Sequence, residues 1–205
     1  MTEVIVATNN KGKFREIQEA LKDLPLKLVP LWELPEPIKI VEDGNTYEEN
    51  ALKKAREVAK RTGKLSIADD SGLEVEPLGG APGIHSAHYA GEGATDRENN
   101  RKLLEALRGL PLERRKATFR CFIAAVDPVT GWEKVVQGRC EGLILEEERG
   151  NNGFGYDPLF FVPERGKTLA EMSLEEKNSL SHRGRALQTL RDVLKSYLSG
   201  RGAAW

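Results

Sequence analysis

Residues 3–21, EVIVATNNKGKFREIQEAL, decide the fold class of this chain. The first five form a β-branched apolar run typical of a buried strand, and a polar loop follows. Apolar residues then recur at spacings of three and four. This pattern predicts a helix from about Lys13, with Phe14, Ile17 and Leu21 on its buried face. A strand that leads directly into a helix is the basic unit of an α/β protein.

The same alternation of strand and helix patterns continues along the chain. Further helices are predicted where Thr or Ser precedes Glu by three residues, a pattern that caps helix N-termini: Thr46, Thr95 and Ser173. Predicted strands cover residues 65–68, 117–126, 132–145 and 159–162. A turn signal at 127–131 joins two of them as an antiparallel hairpin, so the sheet is mixed. We therefore predict one bilobed α/β domain over residues 1–199, with a central cleft, and a frayed tail over 200–205.

Composition and charge restrict the function. The chain has 205 residues, with 31 Lys and Arg against 32 Asp and Glu, so its formal net charge is −1. A generally basic nucleic-acid-binding surface is not expected, and no apolar stretch approaches the roughly 18 residues of a membrane span. The N-terminus has the pattern of neither a secretory signal nor a transit peptide, so we expect a cytoplasmic protein. Cys121 and Cys140 form no CxxC pair and are expected to be buried apolar residues.

The polar loop after the first strand is a candidate phosphate site. Its residues are Thr8, Asn9, Asn10, Lys11, Gly12 and Lys13. A helix N-terminus offers free N–H groups and the positive end of the helix dipole, and two ammonium groups stand beside it here. The loop does not match the Walker A pattern, because Ala7 and Phe14 occupy positions that require Gly and Ser or Thr. A polar turn with solvated lysines is the alternative interpretation.

Carboxylates follow the predicted strand at 65–68. Adjacent strand residues point to opposite faces, so one of Asp69 and Asp70 is expected to face a cleft and the other to anchor a loop. A carboxylate in a cleft can hold Mg²⁺ or activate water, and Glu42 could supply a second carboxylate. Solvated acidic turns explain the same residues without chemistry.

Two further segments could contact a ligand. The glycine-rich loop at 150–158 leaves an aromatic ring face open for a flat partner such as a base, and a hydrophobic plug is the alternative. Cations and donors cluster near the start of the last helix, which could equally be a solvated basic helix start: Lys177, Ser181, His182 and Arg183.

Five segments together resemble one family, the inosine/xanthosine triphosphate pyrophosphatases of Ham1 type. They are ATNNKGKFREI, TYEENALKKAR, IADDSGLEVEPLGGAPGIHSAHYAG, GFGYDPLFFVP and EEKNSLSHRGRAL, in family order from about residue 8 to residue 187. The resemblance implies a long curved mixed sheet with two lobes around a cleft, and a homodimer. It implies Mg²⁺-dependent hydrolysis of deaminated purine nucleoside triphosphates (ITP, dITP and XTP) to the monophosphate and pyrophosphate.

The resemblance also assigns roles to residues. Asp70 corresponds to the carboxylate for water activation and metal, Glu42 to a second metal ligand, and Ser71 to a substrate contact. The phosphate side comprises the loop at 8–13 with Lys54. The nucleobase side comprises Phe154, Gly155, Tyr156, Asp157, Lys177, His182 and Arg183. The chain departs from the family pattern at Asn9, where many relatives have Gly, and at His88, where many have Arg.

Two alternatives remain at this stage. One is a nucleotide-binding module without chemistry, which would have no use for a water-activating carboxylate. The other is a pyrophosphatase for a different damaged nucleotide, such as a modified pyrimidine. The resemblance favours a small-molecule triphosphate as the partner, with neither nucleic acid nor membrane.

Overall fold

The computed structural model describes residues 1–202. Seven strands are hydrogen-bonded in the order β2-β1-β3-β4-β5-β6-β7. They are β1 (Thr2–Val6), β2 (Leu26–Pro30), β3 (Ser66–Val75), β4 (Lys116–Val126), β5 (Glu133–Ile144), β6 (Phe160–Val162) and β7 (Lys167–Thr168). The α-helices are α1 (Lys11–Leu21), α2 (Tyr47–Thr62), α3 (Asp96–Ala106), α4 (Leu174–Leu180) and α5 (His182–Gly202). β1 pairs in parallel with β2 and β3, whereas β6 is antiparallel to β5 and β7, which confirms the predicted mixed α/β sheet.

The chain divides into two compact units. Unit 1 comprises Met1–Asp70, Cys121–Gly138 and the chain from Arg183 onward, and unit 2 comprises Ser71–Arg120 and Arg139–His182. The strands β3, β4 and β5 contribute residues to both units. None of the described helices combines the length and the apolar character that a membrane crossing requires.

Unit 1 has helices packed on both faces of its strands. Alternation along β1 sends Val4 and Val6 into a cluster with residues of α1 and α5, while Ile5 and Ala7 join a separate cluster with α2. Because both faces are covered, the strand reads as an uninterrupted apolar run rather than an alternating one. The helix α2 begins at the predicted cap, where the Thr46 hydroxyl accepts from the Glu49 N–H at 3.1 Å.

Unit 2 has its own apolar core, built around Leu73, Leu103, Ile144 and Phe160. Arg115 is only 2% exposed and lies beside this core. Its guanidinium donates to four main-chain carbonyls, those of Leu107, Leu110, Ile144 and Leu145, at 2.7–3.3 Å. Burial lowers the pKa of Arg115, and the four acceptors offset the loss of water around its charge. The cation therefore satisfies carbonyls after α3 and at the end of β5.

Three features differ from the sequence-based expectation. The strand predicted at 65–68 continues to Val75, because Leu73 and Val75 keep the buried alternation past the two aspartates. The stretch with Pro25, Pro30, Pro35 and Pro37 is predicted to be extended or turning, and it contains an additional strand, β2. The last helical pattern is two helices, since the chain is extended at Ser181 between α4 and α5. Residues 200–202 of the expected tail belong to α5, and residues 203–205 lie outside the described part of the chain.

Candidate functional site

Asp69 and Asp70 lie side by side in β3, at the end of the part of that strand that belongs to unit 1. Strand alternation continues from the residues before them: Ile67 packs in the cluster with α1 and α5, and Ala68 packs in the cluster with α2. The two aspartates therefore leave opposite faces of the strand, as the sequence predicts. Their electrostatic environments are correspondingly different.

Asp69 is held by cations. It is 4% exposed, and its Oδ1 lies 2.6 Å from Lys13 Nζ while its Oδ2 accepts from Arg183 Nε at 3.1 Å. Burial alone would raise the pKa of Asp69, but the charges of Arg183, Lys13 and Lys54 hold it well below the usual range. Burial would lower the pKa of Lys13, but the Asp69 carboxylate raises it. Asp69 is therefore an ionised carboxylate that holds Lys13 in a fixed place.

Arg183 lies between two carboxylates. It is 2% exposed, and its Nη1 donates to Glu16 Oε2 at 2.7 Å while its Nε donates to Asp69. Burial disfavours its charge, but the two carboxylates raise its pKa above the ordinary value. These contacts give Arg183 a positioning role that the sequence did not indicate. The nucleobase contact assigned to it by resemblance stays a prediction.

Lys54 on α2 connects the remaining acids. Its Nζ donates to the Asp69 carbonyl oxygen at 2.6 Å and lies 2.6 Å from Glu42 Oε1 and 3.8 Å from Asp70 Oδ1. Burial would raise the pKa of Glu42, but the Lys54 ammonium lowers it. Lys54 is 7% exposed. One buried ammonium therefore holds together two carboxylates that are far apart in the sequence.

Asp70 is the acid in this cluster whose charge is disfavoured. Burial raises its pKa to about 6, against the opposing charges of Lys54 and Lys13, and the charges of Asp69 and Glu42 raise it further. Its Oδ2 is buried and has no hydrogen-bond partner among residues 1–202. Two neighbouring carboxylates thus have their pKa values displaced in opposite directions, which is how proteins separate a structural acid from a reactive one.

The loop at 8–13 is ordered by its own hydrogen bonds. The Asn10 side chain caps α1 by accepting from the Lys13 N–H at 3.0 Å, and the Thr8 hydroxyl accepts from the Asn10 N–H at 3.0 Å. Asn9 and Lys11 are exposed, whereas Gly12 is half-buried. The first N–H groups of a helix have no partner within the helix, so this turn presents donors next to Lys13.

The residues that the resemblance assigns to the nucleobase side, apart from Arg183, lie in unit 2. Lys177 and Asp157 form a buried ion pair with Nζ and Oδ2 2.5 Å apart, and the same oxygen accepts from the Phe154 N–H at 3.1 Å. Lys177 Nζ also lies 4.7 Å from the centre of the half-buried Phe154 ring. At Gly153 a Cβ atom would stand 2.2 Å from Asp157 Oδ2, so the close approach requires glycine there. The ion pair and the Phe154 N–H bond therefore fix the conformation of this loop, and the open aromatic face predicted for it stays a prediction.

The other members of this set have structural contacts. The Tyr156 hydroxyl donates to the Ser86 carbonyl at 2.6 Å, and burial raises the pKa of that hydroxyl. The His182 ring stacks on Phe119 with centroids 4.4 Å apart and planes at 9°. Ser71, the residue after Asp70, is half-buried.

Sequence reasoning did not identify Glu16 and Cys121. Glu16 is next to Ile17 on α1 and reads as one of several charged helix residues, and only its 2% exposure distinguishes it. Cys121 reads as part of an apolar strand, yet its Sγ donates to Asp69 Oδ2 at 3.2 Å. A strand pattern reports burial, not polar contacts between strands, so no sequence signal was available for either residue.

Comparison with known proteins decides the family. The model of the Ham1 family matches residues 4–193. This chain belongs to the Ham1 family. It is 53% identical over 194 residues to a dITP/XTP pyrophosphatase of Geobacter sulfurreducens, covering 95% of this chain and 97% of the relative. It is 51% identical over 191 residues to a dITP/XTP pyrophosphatase of Desulforamulus reducens, covering 93% and 94%.

Solved structures of the Ham1 family agree with the fold. A HAM1 protein from Coxiella burnetii has a TM-score of 0.85 at 46% identity, covering 96% of this chain and 100% of that structure. The Ham1 protein of Staphylococcus aureus has a TM-score of 0.83 at 41% identity, with the same coverage. The family resemblance inferred from five sequence segments is therefore confirmed. The Ham1-family match includes every residue of both candidate sets.

Proposed function

We propose that this protein hydrolyses deaminated purine nucleoside triphosphates, namely ITP, dITP and XTP, to the monophosphate and pyrophosphate. The observation that carries the proposal is the pair of neighbouring aspartates in β3 with oppositely displaced pKa values, each within 4 Å of a lysine ammonium. The relatives are named dITP/XTP pyrophosphatases, which supports two of these substrates directly. A module that only binds nucleotide would not require a carboxyl whose pKa lies near neutrality.

Asp70 is the proposed general base. A base works best when its pKa lies near the operating pH, and the pKa of about 6 at Asp70 meets that condition. Its buried Oδ2 is available to accept a proton from the attacking water. The water oxygen forms a new bond to the α- or β-phosphorus while the P–O bond that joins the two phosphates breaks, and monophosphate and pyrophosphate are released.

Lys13, Lys54 and the N-terminus of α1 are the proposed phosphate-binding groups. Lys13 is held by Asp69 at 2.6 Å, and Lys54 by the Asp69 carbonyl and Glu42, so both ammonium groups are oriented before substrate arrives. Preorganised charges stabilise a transition state more effectively than charges that must first reorient. Thr8, Asn9, Asn10, Lys11 and Gly12 complete this side through side-chain and main-chain donors.

Asp70 and Glu42 are the proposed ligands of Mg²⁺. No group of three or more His, Cys, Asp or Glu side chains within residues 1–202 could hold a metal alone. Mg²⁺ instead fits one or two carboxylates together with substrate phosphates, and Glu42 and Asp70 both lie against the same Lys54 ammonium, at 2.6 Å and 3.8 Å. When bound, the ion neutralises charge on the phosphate oxygens and polarises the reacting phosphate.

The charge balance of the ion-pair network around Asp69 and Asp70 favours a divalent cation. The ion-pair network contains three cationic side chains and four carboxylates, which are Lys13, Lys54, Arg183, Glu16, Glu42, Asp69 and Asp70. Its own cations are therefore already matched by acids. A triphosphate adds several negative charges, and further positive charge is needed to hold it.

The residues of unit 2 are the proposed nucleobase contacts. Phe154, Gly155, Tyr156, Asp157, Lys177 and His182 supply an aromatic face and hydrogen-bonding groups, with Ser71 and Arg183 as further substrate contacts. Hypoxanthine and xanthine carry a 6-oxo acceptor, where adenine carries an amino donor. Donors aimed at position 6 would be left unpaired by ATP, at about 1–3 kcal/mol for each buried unpaired group. GTP shares the 6-oxo group, so its rejection depends on the 2-amino group.

The cytoplasmic location and the homodimer implied by the resemblance remain predictions. We also propose that residues 1–199 act as one bilobed domain in this reaction. Gel filtration with light scattering measures the oligomeric state directly, and a mass of two chains is expected.

A panel of nucleoside triphosphates with Mg²⁺ tests the proposed function. Products are separated by ion-exchange chromatography. We expect ITP, dITP and XTP to yield monophosphate and pyrophosphate, with ATP and GTP turned over far more slowly. Diphosphate and phosphate as products would overturn the proposal. Tight binding of ITP without any product would favour the binding module, and a preference for a modified pyrimidine triphosphate would favour the other alternative.

A further inference from the structure

The Asp69 carboxylate is held from both of its oxygens. Oδ1 lies 2.6 Å from Lys13 Nζ, while Oδ2 accepts from Arg183 Nε at 3.1 Å and from Cys121 Sγ at 3.2 Å. The torsion that rotates a carboxylate about its Cβ–Cγ bond is intrinsically broad. The donors on Oδ2 therefore determine in which direction Oδ1 presents itself to Lys13.

Arg183 cannot orient Asp69 alone through a bidentate contact. Its guanidinium is shared, with Nε on Asp69 and Nη1 on Glu16 Oε2 at 2.7 Å. An arginine fixes a carboxylate most strongly when two of its nitrogens bond to the same acid, whereas here Nε lies on Asp69 and Nη1 on Glu16. Cys121 adds a second donor on the same oxygen, with its Sγ 3.2 Å from Asp69 Oδ2.

Cys121 is well placed for this contact. It lies on β4, the strand next to β3, and it is completely buried in the apolar cluster that also contains Ile123 and residues of α1 and α5. Burial and the neighbouring Asp69 charge raise the pKa of the thiol well above its ordinary value, so the sulfur keeps the proton that it donates. A thiol is a weak donor, but its acceptor here is an ionised carboxylate.

We propose that Cys121 is a positioning residue for the phosphate-binding Lys13: its thiol orients the Asp69 carboxylate that holds the lysine ammonium. This inference rests on the proposed function of the same site. Cys121 itself touches neither substrate nor metal in this scheme. Its effect reaches the substrate through Asp69 and then through Lys13.

Kinetics of three variants test the inference. Cys121→Ala removes the donor, Cys121→Ser keeps one, and Cys140→Ala is the matched control, since Cys140 is a buried cysteine in the core of unit 2. Lys13 contacts charge present in both ground and transition states, so a misplaced lysine raises KM more than it lowers kcat.

We expect Cys121→Ala to raise KM for ITP about tenfold, the low end for a hydrogen bond to a charged group. Cys121→Ser should return KM to within about threefold of the parent value, and Cys140→Ala should leave it unchanged. A KM in Cys121→Ala equal to that of Cys140→Ala would overturn the inference. So would a Cys121→Ser variant that is no better than Cys121→Ala.

An infrared measurement tests the contact without relying on activity. The S–H stretching band of Cys121 is assigned by its loss in Cys121→Ser and followed in the metal-free protein. Replacing the charged acceptor in Asp69→Asn should move this band to higher frequency. An unmoved band contradicts the inference even if the protein is an efficient pyrophosphatase. An inactive parent protein whose band does move contradicts the proposed function instead.

Discussion

Asp70→Asn separates the chemistry of Asp70 from its contribution to stability. The amide keeps the volume of the carboxyl but can neither take a proton nor add negative charge for a metal. Loss of a general base alone lowers rates by about 10²–10⁴-fold. Because Mg²⁺ ligation is lost as well, we expect kcat for ITP to fall by about 10⁴-fold or more. The fold is expected to be retained.

The same substitution should stabilise the metal-free protein. The pKa of Asp70 is raised from 3.8 to about 6, so keeping it ionised in the folded state costs about 3 kcal/mol at neutral pH. The asparagine removes that cost. For a chain of 205 residues each kcal/mol corresponds to roughly 2–4 °C in Tm, which predicts a rise of about 6–12 °C. An activity loss that accompanies increased stability cannot be attributed to unfolding.

The assay combines calorimetry in the presence of a chelator with steady-state kinetics on ITP and Mg²⁺. Asp43→Asn is the matched control, since Asp43 is exposed, lies next to Glu42 in the sequence, and pairs with Lys53 on the surface. This control should keep full activity and parental Tm. An Asp70→Asn protein that retains more than half of the parental kcat would refute the assignment of the base, and Asp69 would become the candidate. A lowered Tm would refute the electrostatic reasoning.

Four further outcomes are expected. The free energy of unfolding of the metal-free parent protein should fall by up to about 3 kcal/mol as pH rises from 4 to 7, because the folded pKa of Asp70 exceeds its unfolded value. Urea titrations at several pH values should show this loss in the parent protein and not in Asp70→Asn. The pKa of Asp69 is displaced in the opposite direction, so its contribution to stability is lost only as pH falls below 3.8. Acid titration should show this loss in the parent protein and in Asp70→Asn alike, because both keep Asp69. Lys13→Ala should raise KM for ITP and lower kcat less than Asp70→Asn does; a fall in kcat at constant KM would make Lys13 a transition-state group. Arg183→Ala should lower the free energy of unfolding by about 3–5 kcal/mol, since Asp69 and Glu16 lose a buried partner. It should also reduce the ratio of kcat/KM for ITP to kcat/KM for ATP. An equal fall in both values of kcat/KM would confine Arg183 to the positioning of Asp69.

Much of the fold could be predicted from local patterns. Both hydrogen bonds of the predicted capping box at Thr95 are present in the structure. The bounds of the strands predicted at 117–126 and 132–145 differ by at most one residue from those of β4 and β5. These elements combine a clear start signal with a long apolar pattern. The strand β2 was missed because it is five residues long and is bordered by prolines. Prolines at an edge strand's ends are compatible with pairing, but the sequence alone does not say so.

The sequence predicted which residues form the candidate site but not which contacts they make with one another. The family segments identified Lys13, Lys54 and Asp70, and strand alternation predicted that the two aspartates leave opposite faces. Which aspartate is matched by cations depends on Arg183, which is 114 residues from Asp69 in the chain. No local pattern reports such a contact. The chain topology that brings α5 to β3 had to be seen.

Hydrolysis of ITP in ¹⁸O-labelled water tests directly whether one water molecule cleaves the triphosphate between its α- and β-phosphates. Mass spectrometry of the products gives both their identity and the position of the label. We predict equal amounts of inosine monophosphate and pyrophosphate, with one ¹⁸O atom per turnover found in one of these two products. Inosine diphosphate together with ¹⁸O-labelled inorganic phosphate would contradict the account.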